Sequence, residues 1–180
     1  MAKRQPSSEP TWKDVKDALA AFDRPGLLSL IQDLYAAQKE TRLFLHARFS
    51  LGGALLAPYK RTIARWLWPD IDQQASVTNA KQAITAYRKA SADIAGLADL
   101  MVFYCEFATG FASDVGYEDE SYLGALVRMF EQALKTAAQL PVDRRRPLLA
   151  RLDKARLLSH RIGYGVGDDL DSLFARYAKT

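Results

Sequence analysis

Apolar residues recur every three or four positions along almost the whole chain, the spacing that places them on one face of an α-helix. Nowhere does a run of β-branched and aromatic residues alternate with polar ones between turn residues, so strands are not expected. The pattern predicts about nine helices. Thr11 caps the first, with Asp14 at the capping-box position, and Trp12, Val15, Leu19 and Phe22 form its apolar face. Asp23 caps the second, which starts near Pro25 and presents Leu27, Leu28, Ile31 and Leu34. A short third runs over 43–49. Gly52 and Gly53 separate it from a fourth, which ends at Trp68 because Pro69 pushes its predecessor out of helical angles.

The fifth helix is expected over 77–91, with Ala80, Ile84 and Tyr87 on one side. The sixth runs from near Asp93 to near Gly116, and the seventh from about Glu120 to Leu140, where Pro141 stops it. Asp143 and Pro147 open the eighth, which extends to Ile162 with Gly163 as its left-handed C′ residue. Asp168 caps the ninth. The fold class is therefore all-α, a compact bundle or a short αα-hairpin array of eight to nine helices. Leu97, Leu100, Tyr104, Phe130 and Ala133 are similar to a tetratricopeptide pattern, but the linker is too long and no second copy follows at that period. The expected organisation is a flexible tail over 1–10 and one domain over 11–180.

Composition narrows the setting. A chain of 180 residues, 49% hydrophobic and 26% charged, can bury a core without disulfides or metal. Cys105 is its one cysteine, which suits a reducing compartment and excludes a thiolate cluster within one chain. Lys3 and Arg4 are not followed by the apolar stretch of a secretory signal. The most apolar window, 96–112, is broken by Asp99 and Glu106 and reads as a buried helix rather than a membrane span. A cytoplasmic protein without membrane attachment is expected.

The net charge of +4 is unevenly spread. Residues 1–92 hold 14 basic and 8 acidic side chains; residues 93–120 hold seven acids and no base; residues 143–161 hold seven bases and two acids. Such regional polarity bears on partners more than the total does. Arg144, Arg145, Arg146, Arg151, Lys154 and Arg161 form a candidate basic surface, able in principle to neutralise phosphates. They do not share one stripe with Arg156 and His160, and no nucleic-acid fold signature accompanies them, so pairing with the acidic block is the competing reading.

The acidic candidates are Asp99, Glu106, Asp119 and Glu120. Asp99 and Glu106 lie seven residues apart, nearly two turns, and so share a face. That face is turned roughly 140° from the one made by Leu97, Leu100, Met101, Tyr104, Phe107 and Phe111, which favours solvated carboxylates. Phe103 lies on the acid side. If another element covers that side, both acids need basic neighbours.

Enzyme chemistry finds little support. The turn Gly163-Tyr164-Gly165-Val166-Gly167 follows a helix rather than a strand, lacks a P-loop lysine and precedes Asp168, Asp169 and Asp171, which repel anions. Two histidines, His46 and His160, leave little room for a zinc site, and no serine sits in a nucleophile elbow. No catalytic residue, metal ligand or cofactor is expected. Trp66, Trp68, Tyr59 and Phe49 are expected to cluster near Lys60, Arg61 and Arg65, as core or as a partner hot spot.

Residues from about Leu28 to Ala137 carry a further pattern: Leu34-Tyr35, Phe44-Leu45 and Arg48; Lys81, Ile84, Tyr87 and Lys89; Leu97 to Met101, Tyr104 and Glu106; Gly116, Asp119-Glu120, Tyr122, Leu126 and Met129-Phe130-Glu131. In these the stretch resembles a family of uncharacterised bacterial all-helical domains with no assigned activity. The resemblance implies a helical fold and a bacterial cytoplasmic setting. Functionally the chain is expected to be a non-enzymatic interaction module for a partner protein or for itself, the alternative being a nucleic-acid-associated protein that uses its basic eighth helix.

Overall fold

The computed structural model describes residues 9–52 and 55–178, and among these every regular element is a helix. In chain order they are α1 (Trp12–Leu19), α2 (Arg24–Ala37), α3 (Lys39–Arg48), α4 (Ala57–Leu67), α5 (Val77–Ala90), α6 (Ile94–Val115), α7 (Glu120–Ala137), α8 (Val142–Ser159) and α9 (Val166–Tyr177). The expected all-α class is what the chain adopts. Gly53 and residues 1–8 of the expected tail lie outside the described residues.

Two units stand where one domain over 11–180 was expected, and the boundary between Leu43 and Phe44 falls inside α3. The first unit holds α1 and α2, neither of which buries a single residue. Helical periodicity shows that a segment has an apolar face, but not that the face is covered by the same core. Both helices are nonetheless well started. Thr11 donates to the Asp14 carboxylate from its amide and its hydroxyl, each at 2.7 Å, and Asp23 accepts from the Gly26 amide at 2.8 Å.

The second unit is built around α6, a 22-residue helix packed by α4, α5, α7 and α8, while α9 closes against α7 and α8. Its buried positions, among them Ala98, Leu100, Val102, Tyr104, Cys105, Ala108 and Ala112, occupy most of its circumference, as expected of a helix apolar nearly all round. By length and composition α6 could cross a membrane, with mean hydropathy 1.4, but here it is the core helix. Facing it, α7 buries Leu123, Leu126, Phe130 and Leu134, and α5 buries Ala80, Ile84 and Tyr87. Full burial of such side chains contributes about 1.5–3 kcal/mol each.

Some helix ends follow local chemistry. Asp93 and Asp119 cap α6 and α7 by accepting from Ala95 and Tyr122 amides, and Gly116 ends α6 in the left-handed region at φ 63°. No side chain caps the start of α4 or α8, and α8 holds Pro147 inside it and ends at Ser159, short of the expected Ile162. Another departure is α9. It starts at Val166, after Gly165 at φ 71° and Tyr164 at φ 61°, so the left-handed residues are these two and not Gly163. Asp168 then lies in the first turn instead of capping it. There its charge still complements the helix dipole.

The expected aromatic cluster is dispersed. Tyr59 meets Tyr87 edge-on at 5.2 Å, Trp68 lies against Phe107 and Phe111, Trp66 carries Arg65 over its ring, and Phe49 is exposed. Positions two apart on a helix point in different directions, so nearness in sequence did not become nearness in space.

Candidate functional site

A charged seam joins α4, α6 and α8. Arg151 donates from Nε to Glu106 Oε1 at 2.8 Å and from Nη2 to Oε2 at 2.5 Å, a two-pronged grip on one carboxylate. Its Nη1 donates to Asp99, whose other oxygen takes Lys60 Nζ at 2.5 Å. Lys60 also lies over the Phe103 ring, 5.3 Å from its centre. Asp99 and Glu106 are therefore not the solvated carboxylates that the helical wheel favoured: α4 and α8 lie against that side of α6 and supply both with basic partners.

The electrostatics agree. Burial pushes the Asp99 carboxyl upward, but hydrogen bonds from Lys60 and Arg151 outweigh it and hold its pKa below the usual carboxylate value. Arg151 is raised, first by its hydrogen bonds to Glu106. Asp99, Glu106 and Arg151 thus satisfy one another within the second unit, which removes them from any surface of a single sign. The sequence carries the −7 and +5 blocks openly, whereas Lys60 had no signal beyond the apolar neighbour Phe103.

The other charged candidates are scattered. Arg144, Arg146, Lys154 and Arg161 are exposed, and Arg145 is half-buried. Asp119 is spent partly as the α7 cap, and Glu120 is exposed at the first position of that helix.

A second charged group ties α8 to α9. Arg156 donates to Asp153 at 2.9 Å and to Asp171 at 2.5 Å, and His160 Nε2 lies 3.3 Å from Asp171. With Asp168 the ligand atoms of His160 and Asp171 fall within 4.8 Å of one another, a grouping of metal-ligating types that sequence reasoning did not bring together. Arg156 already supplies positive charge to Asp171 and depresses its pKa. Gly167 is what lets His160 lie there, since a Cβ would stand 2.7 Å from its Nδ1.

A cleft of about 600 Å3 opens where α5 and α7 begin, bounded by the loop after α4. Ser76, Thr78, Asp119 and Ser121 line it beside Phe111 and Tyr117, as do Gln73 and Gln74. Its wall is a run of rings: Phe111 to Tyr117 at 5.0 Å, Tyr117 to Tyr122 at 5.1 Å. Tyr122 is fixed by donating to the Leu67 carbonyl at 2.9 Å. Cys105, by contrast, is fully buried and its thiol is pushed well up by that burial, so it offers no thiolate.

The chain matches no family model, no curated protein and no solved structure. The helical likeness of residues 28–137 therefore carries only the fold class.

Proposed function

We propose that this chain is a non-enzymatic protein-interaction module, with α1 and α2 as its docking helices. One observation carries the reading: the two helices bury no residue, yet Trp12, Val15, Leu27, Leu28, Ile31 and Leu34 are all exposed. Trp12 is 66% and Leu28 58% accessible, far from the scattered single exposures of an ordinary surface. On α2 the apolar positions recur at the i, i+3, i+4, i+7 spacing by which an amphipathic helix anchors in a protein groove. Between Leu27 and Tyr35 the one charged residue is Asp33. Such a stripe suits an apolar protein surface and has nothing to offer a phosphate backbone.

The occupant is a second copy of the chain, because two charge-poor stripes are self-complementary about a two-fold axis. A cytoplasmic location is part of the proposal, supported by the single, buried thiol. Sedimentation of the full chain should show concentration-dependent dimers, lost in Ile31→Asp. A monomer whose α2 amides exchange as slowly as those of α6 would defeat the reading, since the stripe would then be covered within the chain.

Exposed Arg144, Arg146, Lys154 and Arg161 favour a second reading, association with nucleic acid. The engagement of Arg151 by Glu106 and Asp99 weakens it. Retention on generic duplex DNA that falls steeply with salt, and falls again in Lys154→Ala, would support it over the first.

A further inference from the structure

The cleft at the starts of α5 and α7 lies wholly in the second unit, and among the described residues that line it Asp119 is the one charged side chain. Asp119 uses Oδ1 to cap α7, accepting from the Tyr122 amide at 2.7 Å, and its other oxygen has no partner among the described residues. The side chains of Gln73, Gln74, Thr78 and Ser121 line the same space and are likewise unpartnered among the described residues. Ser76 accepts from the Asn79 amide at 3.3 Å and keeps its hydroxyl proton to donate. These hydroxyls and amides can each donate and accept, so the walls match a ligand whose own polar groups do both. That is the character of a hydroxyl group.

Charge narrows the ligand further. The Asp119 carboxylate repels an anion, and no basic side chain among the described lining residues stands to hold one. A cation meets the N-terminal ends of α5 and α7, where Thr78 and Ser121 sit in the first turns and the helix dipoles are positive. Neither sign is favoured, which leaves a neutral ligand. The apolar wall sets its shape. Tyr117 is half-buried, its ring centre 5.0 Å from that of Phe111 and 5.1 Å from that of Tyr122, which is itself tied to the Leu67 carbonyl. A ring fixed in this way is a platform for a flat face of C–H groups, and a sugar ring carries such a face within a rim of hydroxyls.

We propose that this cleft binds a neutral saccharide of one or two rings, stacked on Tyr117 and hydrogen-bonded by Asp119, Gln73, Gln74, Thr78 and Ser121. A carboxylate oxygen has two lone pairs and accepts from two adjacent hydroxyls, while a glutamine amide donates to one and accepts from the next, so both suit a vicinal diol. A space of about 600 Å3 is that of a small-ligand site. The polar lining is exposed, so each bond made to the sugar replaces one made to water, and a Kd on the order of millimolar is expected.

The test titrates the full chain with glucose, galactose, mannose, maltose and lactose, and with the 6-phosphate of each monosaccharide at matched ionic strength, while backbone amide resonances are followed. At least one neutral sugar should give saturable shifts centred on Gln74, Thr78, Tyr117 and Ser121, and each 6-phosphate should bind more weakly than its parent. Tyr117→Ala should weaken binding about tenfold, whereas Tyr117→Phe keeps the ring and most of the affinity. Asp119→Asn still caps α7, so the several-fold loss expected there reads the missing carboxylate and not a frayed helix. Gln74→Ala, on the loop after α4, serves if Tyr117→Ala folds poorly. Absence of saturable shifts with all five neutral sugars would overturn the site, as would shifts that survive in the double variant of Gln74 and Tyr117. A 6-phosphate that binds more tightly than its parent sugar would overturn the neutral class.

Discussion

Arg151 and Glu106 meet through two parallel hydrogen bonds, at 2.8 and 2.5 Å, across the gap between α8 and α6. The geometry is that of a planar guanidinium against a planar carboxylate, which lysine cannot reproduce. Arg151→Met should therefore destabilise the chain by about 1–3 kcal/mol, the range for leaving a partly buried carboxylate without its partner. Arg151→Lys should lose about half of that, since it keeps the charge and forfeits the fork. Chemical denaturation of the two variants checks the order. Equal stability of all three proteins would mean that the seam is only solvated surface.

The same seam makes stability depend on acid. Asp99 has its pKa held below the ordinary carboxylate value of 3.8 by Lys60 and Arg151. A group depressed in the folded state binds its proton more readily when unfolded, so its contribution is present above the unfolded value and fades as pH falls through the folded one. Stability should thus drop as pH is lowered beneath about 4. In Asp99→Asn that part of the slope should be absent, although the variant is weaker at neutral pH. Thermal melts at a series of acid pH values read the difference directly.

Tyr87 donates its hydroxyl to Asp93 at 3.0 Å, and this bond passes over the bare backbone of Gly96 in the first turn of α6. A Cβ on Gly96 would collide with that hydroxyl and stand 2.5 Å from the Asp93 carboxylate. Alanine normally favours a helix over glycine by about 1 kcal/mol. Here the sign should reverse, with Gly96→Ala costing about 1–3 kcal/mol through overpacking. Combining it with Tyr87→Phe, which removes the hydroxyl, should recover part of the loss. Full additivity of the two changes would exclude the clash.

Helix positions were legible because they depend on local chemistry. Asp23, Asp93, Asp119, Gly116 and Pro69 act on backbone groups within a turn of themselves, and each ends or begins a helix where its type requires. The start of α9 escaped because two consecutive left-handed residues, Tyr164 and Gly165, are needed there, and a tyrosine gives no warning of that conformation. The candidate site was legible only in part. Opposite charge blocks left pairing of acids and bases open as one reading, while the wheel favoured solvated carboxylates at Asp99 and Glu106, with Phe103 the single sign that this side of α6 is covered. Which base reaches which acid depends on how α4 and α8 cross α6, so Lys60 stayed invisible. The division at Leu43 and Phe44 escaped for a related reason, since amphipathic spacing in α1 and α2 resembles that of a core helix whether or not a core lies beneath it.

The second unit should also fail in alkali, and at a pH set by its tyrosines. Tyr87 is raised to about 12 from the ordinary value of 10.0, first by burial and then by its hydrogen bond to Asp93. Burial likewise raises Tyr59, Tyr104 and Tyr122. A phenol whose folded pKa is raised holds its proton more tightly in the folded state. The stabilisation it represents is complete below the unfolded value near 10 and declines as pH rises toward the folded one. Because several such groups sit in one core, their ionisation should be cooperative with unfolding rather than spread over independent steps. Tyrosinate absorbance and helical circular dichroism, followed together from pH 9 upward, should change in a single transition for these buried rings. Tyr87→Phe should shift that transition to higher pH, because one proton linked to unfolding has been removed. A transition that stays in place, or tyrosines that all ionise near 10 while the helices persist, would show that these hydroxyls are reached by water.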